Sequence, residues 1–396
     1  MVQLTRPHPG QETIIRHKAR FRVVACGRRF GKTEAGKIML LERALRGGRC
    51  WWLAPTYGMA GQVWRDLRAA CGRVSGARVS EAEQRIDLPG GGLLAVRSAH
   101  QPDLLRGMGL DFAVLDEAAF MAPDVWPQVV RPMLLERRGG AALLSSPNGR
   151  NWFYDLYALA RGGAAPGWAA FHFTSYDNPL IARAELDAVR RATPERVWRE
   201  EYLAEFMADA GQVFRGVQAA ATAPADAAPQ PGALYCAGVD WGRDNDYTAA
   251  AVVDVGARRM VALERFTGVS WALQRGRLAA LCARWRPAAV WAEANSIGSP
   301  NVEALLAEGL PVRPFQTTAA SKGPLIEALA LAVERGELAL LPAETLLAEL
   351  AAYRAERLPG GGYRYGAPPG QHDDCVIALA LAWHGVRFSG ARVDFA

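Results

Sequence analysis

The chain has six cysteines, at 26, 50, 71, 236, 282 and 375, and no two of them stand in a CxxC pair. That absence excludes a zinc knuckle, a thioredoxin-type dithiol and a disulfide-stapled secreted scaffold, and a reducing interior is the expected setting. Long apolar runs are also missing. The longest, CVIALALAW starting at Cys375, is of core-helix length and too short to span a bilayer. The first twenty residues, MVQLTRPHPGQETIIRHKAR, lack the apolar centre of a secretory signal, so a soluble, intracellular protein is expected. No internal repeat is visible. What is there is ordinary globular material: 396 residues, 50% hydrophobic and 22% charged, enough for two domains that each bury a core. A net charge of +6 and a pI near 9.1 permit a polyanionic partner without establishing one.

Apolar runs of strand length alternate with helical stretches through the first half, the pattern of a parallel α/β sheet. FRVVAC (21–26), CWWLAP (50–55), LLAVRS (93–98), FAVLD (112–116) and AALLSS (141–146) read as strands. A helix, TEAGKIMLLERAL, follows the first of them after a Gly-rich turn. Between 177 and 206 the chain turns helical and charged. The Ala/Pro-rich stretch 219–232 has no periodicity and reads as a linker between a domain over 1–218 and another over 233–396. The second domain opens with strands at 234–240, 248–255 and 259–268. A helix at 271–285, a strand at 288–294 and a closing helix from about 373 to 386 follow.

Residues 26–33 read CGRRFGKT between a strand and a helix. Gly27, Arg28, Arg29, Phe30 and Gly31 make a turn whose N–H groups, with the helix N-terminus, would cradle phosphates. Lys32 would meet the β/γ charge and the Thr33 hydroxyl would ligate Mg²⁺. The common pattern has glycine where this chain has Cys26, a departure a small residue tolerates. FAVLDEAAF (112–120) ends a buried strand in two carboxylates. Asp116 there would complete a magnesium site and Glu117 would act as general base on water. A third strand end, LLSSPNG, offers Ser145, Ser146, Pro147, Asn148 and Gly149. Those groups would sense the γ-phosphate, or simply form a turn.

The second half presents carboxylates at element edges: Asp240, Glu293, and the pair Asp373 and Asp374 opening the last helix, with Asp246 as a possible fourth ligand. Converging, they would hold one or two divalent cations for phosphodiester cleavage. Oxygen ligands without a Cys/His cluster favour Mg²⁺ or Mn²⁺ over zinc. The 373/374 pair would also suit a helix N-terminus by charge alone. Consecutive helix positions point about 100° apart, so the two cannot face one ion equally, and Asp373 is the one preferred.

In this order, CGRRFGKT, LRGMGLDFAVLDEAAF, SSPNG, EYLAEF, GVDWGRDNDYTA and QHDDCVIALALAW resemble the large terminase subunits of tailed bacteriophages over nearly the whole chain. The resemblance implies an N-terminal P-loop ATPase with a parallel-rich sheet and a small helical lid (about 165–215), followed by a ribonuclease-H-like α/β nuclease. It implies ATP and Mg²⁺ in the first site and Mg²⁺ or Mn²⁺ in the second. Lys32, Thr33 and Asp116 would bind nucleotide and metal, Glu117 would be the catalytic glutamate, and Arg28 would be the P-loop arginine. Arg106 would reach a neighbouring subunit's ATP, Gln11 would recognise adenine, and 145–149 would couple hydrolysis to motion. Asp240, Glu293 and Asp373 or Asp374 would be the nuclease ligands, with Glu293 standing where the family has aspartate. The implied partners are double-stranded DNA, the portal of the procapsid and the small terminase subunit. A homopentameric ring would form on engagement, from a chain that could be a monomer in solution. Its place would be the host cytoplasm, docked transiently on the procapsid, with no membrane involved. A helicase-like ATPase/nuclease of repair or restriction shares both sites, but only one motor sheet precedes the linker. A degenerate relic would have lost charged site positions, and all are filled here.

Overall fold

The computed structural model describes residues 5–105, 107–163, 165–208, 211–242, 246–295, 298–358 and 363–389. Two compact units emerge, one built on Met1–Ala210 and the other on Gly211–Glu356 with Tyr363–Ala396.

The first unit is built on eight strands: β1 (Phe21–Cys26), β2 (Arg49–Ala54), β3 (Arg78–Ser80), β4 (Arg85–Asp87), β5 (Leu93–Ser98), β6 (Phe112–Asp116), β7 (Gly140–Ser145) and β8 (Trp168–Phe173). They lie in the order β3-β4-β5-β2-β6-β7-β1-β8. The six from β5 to β8 are mutually parallel, and the β3–β4 hairpin adds an antiparallel margin. Apart from the part-exposed Arg22 of β1 and Arg97 of β5, and Arg49 at the open start of β2, the strands β1, β2, β5, β6 and β7 are buried throughout, as expected of strands covered on both faces. One layer of cover is the Lys32–Leu45 and Tyr57–Cys71 helices. The other includes the Trp152–Arg161 helix and the turns after β6. The stretch at 165–215, expected as a helical lid, does not begin as one. WAAFHF forms β8 at the edge of the main sheet, beside β1, and helical structure starts only at Ser175. What makes it a strand is parallel pairing with β1 along its whole length, from Phe21 opposite Trp168 to Cys26 opposite Phe173.

The second unit's sheet runs β11-β10-β9-β12-β13, from β9 (Tyr235–Asp240), β10 (Thr248–Asp254), β11 (Arg259–Phe266), β12 (Ala289–Glu293) and β13 (Val312–Phe315). The β9–β10–β11 part is antiparallel, while β12 and β13 join β9 in parallel. The Asp374–Ser389 helix lies across β9, β10 and β12 and is buried on nearly every side. It comes so close that a Cβ on Gly238 would stand 2.1 Å from the Ala378 carbonyl oxygen, which is why a glycine interrupts the apolar strand there. Part of the stretch read as a linker is not one. Ala220 and Ala223 are buried with Val213, Phe214 and Val217 in the core that holds Leu329, Leu350 and Leu379, and the units divide at Gly211. Low complexity hid small side chains that are packed rather than solvated.

All six cysteines are free thiols and buried. Among the described residues no helix is long and apolar enough to cross a membrane.

Candidate nucleotide and metal sites

The first site forms at the carboxyl ends of β1, β6 and β7, the edge where parallel sheets bind ligands. Cys26 is the last residue of β1 and wholly buried; its backbone is extended, so glycine is not needed there. Left-handed backbone falls instead at Arg29 (φ 61°) and Gly31 (φ 99°). Four successive carbonyls of the turn are engaged from outside. Ser175 Oγ donates to Arg28 O and Asn178 Nδ2 to Arg29 O, both at 2.6 Å. His8 Nε2 donates to Phe30 O and Gln11 Nε2 to Gly31 O, both at 2.8 Å. The N–H groups of Gly27, Arg28 and Phe30 are spent on the carbonyls of Phe173, Glu201 and Gly27, so it is the N–H groups from Gly31 into the start of the Lys32–Leu45 helix that are left to face an anion. Phe30 is stacked on Phe173 at 4.6 Å, and Arg28 pairs with Glu201.

Lys32 Nζ meets Glu117 Oε1 at 2.9 Å. Burial pulls the Lys32 ammonium down, but Glu117, Cys26 and Asp116 around it more than reverse that and hold it above its ordinary value. Thr33 Oγ1 donates to Asp116 Oδ2 at 3.3 Å, while Asp116 Oδ1 is buried without a hydrogen-bond partner. Burial, and then Glu117, push the Asp116 carboxyl up to about 7. A hydroxyl beside a carboxylate with an unmet acceptor is a set of hard oxygens that fits magnesium. Ser145 Oγ donates to Glu117 Oε2 at 3.3 Å, and Gly149 N donates to Glu200 Oε1 at 2.8 Å. Asn148 Nδ2 reaches the Ala119 carbonyl at 3.4 Å. The 145–149 segment thus bridges Glu117 and the helical stretch around Glu200; within it Ser146 is buried and Pro147 follows in the same turn. The Gln11 side chain is committed to Gly31 and to the His8 N–H at 2.9 Å, so here it braces the turn. Arg106 lies outside the described residues.

The second site sits on the sheet of the second unit. The parallel register of β9 and β12 pairs Val239 with Ala292, which sets Asp240 and Glu293 one step further along adjacent strands. Burial, then Glu293, then Asp374 and Asp373 hold the Asp240 carboxyl well above the usual carboxylate range. Asp240 and Glu293 thus stand side by side, with Asp374 and Asp373 near enough for their charge to be felt. Asp374, Asp246 and His372 each offer a ligand atom within 4.8 Å of one another. His372 Nδ1 stands 3.3 Å from Asp246 and 3.8 Å from Asp374. Burial and then Asp246 push the Asp374 carboxyl up to about 8, and its Oδ2 is buried with no hydrogen-bond donor. Arg265 stands 3.7 Å from it. Asp373 instead pairs with Lys322 at 3.5 Å, so Asp374, not the preferred Asp373, joins the tight cluster. An acidic pocket with mutual repulsion and an unmet oxygen fits a divalent cation.

Several site residues had not been singled out. His372 is adjacent to the noted acids in QHDD and was legible there. Arg265, whose guanidinium lies 3.4 Å over the Tyr247 ring, and Tyr353, buried with its hydroxyl unpartnered, come from elements without a motif. Tyr353 is held up by burial and by the charges of Asp373 and Asp240. His8, Ser175 and Asn178 bind backbone carbonyls, a role that leaves no pattern in sequence.

Two family models divide the chain between them. The one described as "Terminase large subunit, T4likevirus-type, N-terminal" matches residues 24–220, and "Terminase RNaseH-like domain" matches 237–384. The sheets and their two acidic edges thus define an ATPase joined to a ribonuclease-H-like nuclease. The terminase large subunit of Thermus virus P23-45 is 32% identical over 422 residues, covering 96% of this chain and 87% of the relative. The chain belongs to the terminase large subunit family. Among solved structures, the large terminase of a thermophilic bacteriophage shares the fold along nearly its whole length, with a TM-score of 0.56, 15% identity, and 94% and 97% of the two chains covered. The large terminase nuclease of thermophilic phage G20c with bound magnesium is 32% identical, at a TM-score of 0.41, over 44% of this chain and 97% of its own.

Proposed function

We propose that this chain is the motor and nuclease that packages double-stranded DNA into a procapsid through the portal. Hydrolysis at the first site drives translocation, and the second site cuts the concatemer. The observation that carries the reading is the pairing of two separate acidic strand edges, one beside a P-loop lysine and one where Asp240 and Glu293 on adjacent strands are joined by the charge of Asp374 and Asp373. In the first, the turn's free N–H groups and Lys32 bind phosphates, the Thr33 hydroxyl and the Asp116 carboxylate would hold magnesium, and Glu117 orients and deprotonates water. The magnesium would neutralise charge developing on the phosphates. In the second, Asp240 and Glu293, with the Asp374, Asp246 and His372 cluster beside them, would hold Mg²⁺ or Mn²⁺; the ions would activate water and steady the leaving oxygen.

Further roles follow from the family resemblance. Arg106 acts in a neighbouring subunit's site, which requires a ring, and five copies would encircle the DNA. Gln11 would add adenine contact to its bracing of the turn. The small terminase subunit delivers the DNA, and the chain works in the host cytoplasm while docked on the procapsid. The helicase-like alternative loses ground because a single motor sheet occupies the first unit among the described residues.

The test is packaging itself. Portal-bearing procapsids, linear duplex, ATP and the purified chain should yield DNA protected from added nuclease, and Glu117→Ala should yield none. Robust unwinding of a forked substrate without any protected DNA would favour the helicase reading.

A further inference from the structure

The ATPase unit has a second concentration of positive charge, at the sheet edge away from the P-loop. There the starts of β6 and β7, at Phe112 and Gly140, meet the last turn of the Lys32–Leu45 helix around a cavity of about 480 Å³. Lys18, Arg20, Arg22, Arg43, Arg46 and Arg138 line it, against one acid, Glu42. Strands of six residues rising about 3.3 Å each put this edge roughly 20 Å from the P-loop, too far for one nucleotide to serve both.

Like charges so gathered repel unless something negative joins them, and the protein supplies little. None of the six forms an ion pair within 4 Å among the described residues, and Glu42 forms none either. Arg20 donates to the carbonyls of Gly139 (2.8 Å) and Leu134 (3.1 Å). Arg22 donates to the His17 carbonyl and approaches Met39 Sδ at 3.6 Å, and its Nε is buried with no acceptor. Burial and then Arg43 lower the Arg22 guanidinium; burial, then Arg131 and Arg138, lower that of Arg20. A helix C-terminus accounts for Arg43 and Arg46, since cations suit the dipole there. It does not account for the arginines of β1's side or for Arg138, which enters from a left-handed turn (φ 50°) before β7.

We propose that this pocket is a second phosphate-binding site, made of side-chain guanidinium groups where the P-loop uses backbone N–H, and that it takes phosphate groups of a DNA backbone. Forked guanidinium donors match phosphate oxygens, and such contacts ignore base sequence, as a translocating motor requires. The same chemistry would hold a free phosphate, so the test has two arms. The DNA arm rests on the packaging reading; the phosphate arm does not.

In the first arm, the full chain in EDTA binds a fluorescent 30-base-pair duplex across a salt series. Arg43→Ala/Arg46→Ala should weaken binding about tenfold and flatten the slope of log K against log salt by about 1.8, roughly 0.9 for each lost phosphate contact. Arg43→Lys/Arg46→Lys should recover most of the affinity, and basal ATP hydrolysis should be unchanged in both. Both arginines are exposed, and a matching thermal midpoint checks folding. In the second arm, pyrophosphate is added to a Lys32→Ala chain, which removes the P-loop's charge, with and without the double substitution. Unaltered duplex binding with loss of pyrophosphate stabilisation would identify free phosphate as the ligand. No change in either arm overturns the pocket. A wild-type chain that binds no duplex at all would instead fault the packaging reading, leaving the pyrophosphate arm to judge the site.

Discussion

Lys32 and Glu117 form an ion pair at the nucleotide site, and each has a distinct job to test. Glu117→Gln keeps the shape and removes the base, so ATP hydrolysis should fall about 10²–10⁴-fold while nucleotide affinity, read by a fluorescent analogue, stays within a few-fold. Loss of binding to the same degree would mean that Glu117 serves only to position Lys32. Asp240→Asn should abolish DNA cutting. It should also raise the thermal midpoint of the metal-free chain, because it removes one member of a buried set of mutually repelling carboxylates. An unchanged or lower midpoint in EDTA would contradict that electrostatic account. At this scale the sequence was most informative where chemistry demands particular atoms. Lys32 and Thr33 stood out as a GKT turn at a helix start, Asp116 and Glu117 as adjacent carboxylates ending a buried strand, and Asp240 and Glu293 only as members of a set of acids at element edges. It was silent on His8, Ser175 and Asn178, whose bonds to main-chain oxygens many polar residues could make.

Elements were legible in proportion to their apolar continuity. The five strands expected in the first unit appear within a residue of their places because each is a buried run. The β3–β4 hairpin, short and with only Ile86 buried, and β8, with no residue fully buried, offered no such run. The Asp374–Ser389 helix was recognisable as apolar, but its burial on nearly all sides comes from the sheet beneath it and the Ala319–Glu334 helix beside it, which only the tertiary structure supplies. That packing yields a prediction. Gly238→Ala would force the helix off β9 and should cost about 1–3 kcal/mol, seen as a lower unfolding midpoint and weaker cutting. Its ATP hydrolysis should be near wild type, and an unaltered midpoint would show that the helix does not press on Gly238.

Across the whole chain, the two-part organisation was readable but its seam was not. Alanines 220 and 223 look like spacer in sequence and are core in the fold, because a small apolar side chain carries no sign of where it goes. A fragment of residues 211–396 should therefore unfold at a higher temperature than one of 233–396, which leaves behind Val213, Phe214 and Val217. Equal midpoints would return the boundary to the Ala/Pro-rich stretch.

The four tethered carbonyls of residues 28–31 bear on where such an engine can move. A cradle whose outer surface is fastened at every residue has little slack to lose when a nucleotide departs, so its ordering is settled at folding and not repeated in each cycle. On the proposed coupling role of residues 145–149, movement would originate in that neighbouring strand end, and the socket would serve as the fixed anvil against which the stroke is delivered.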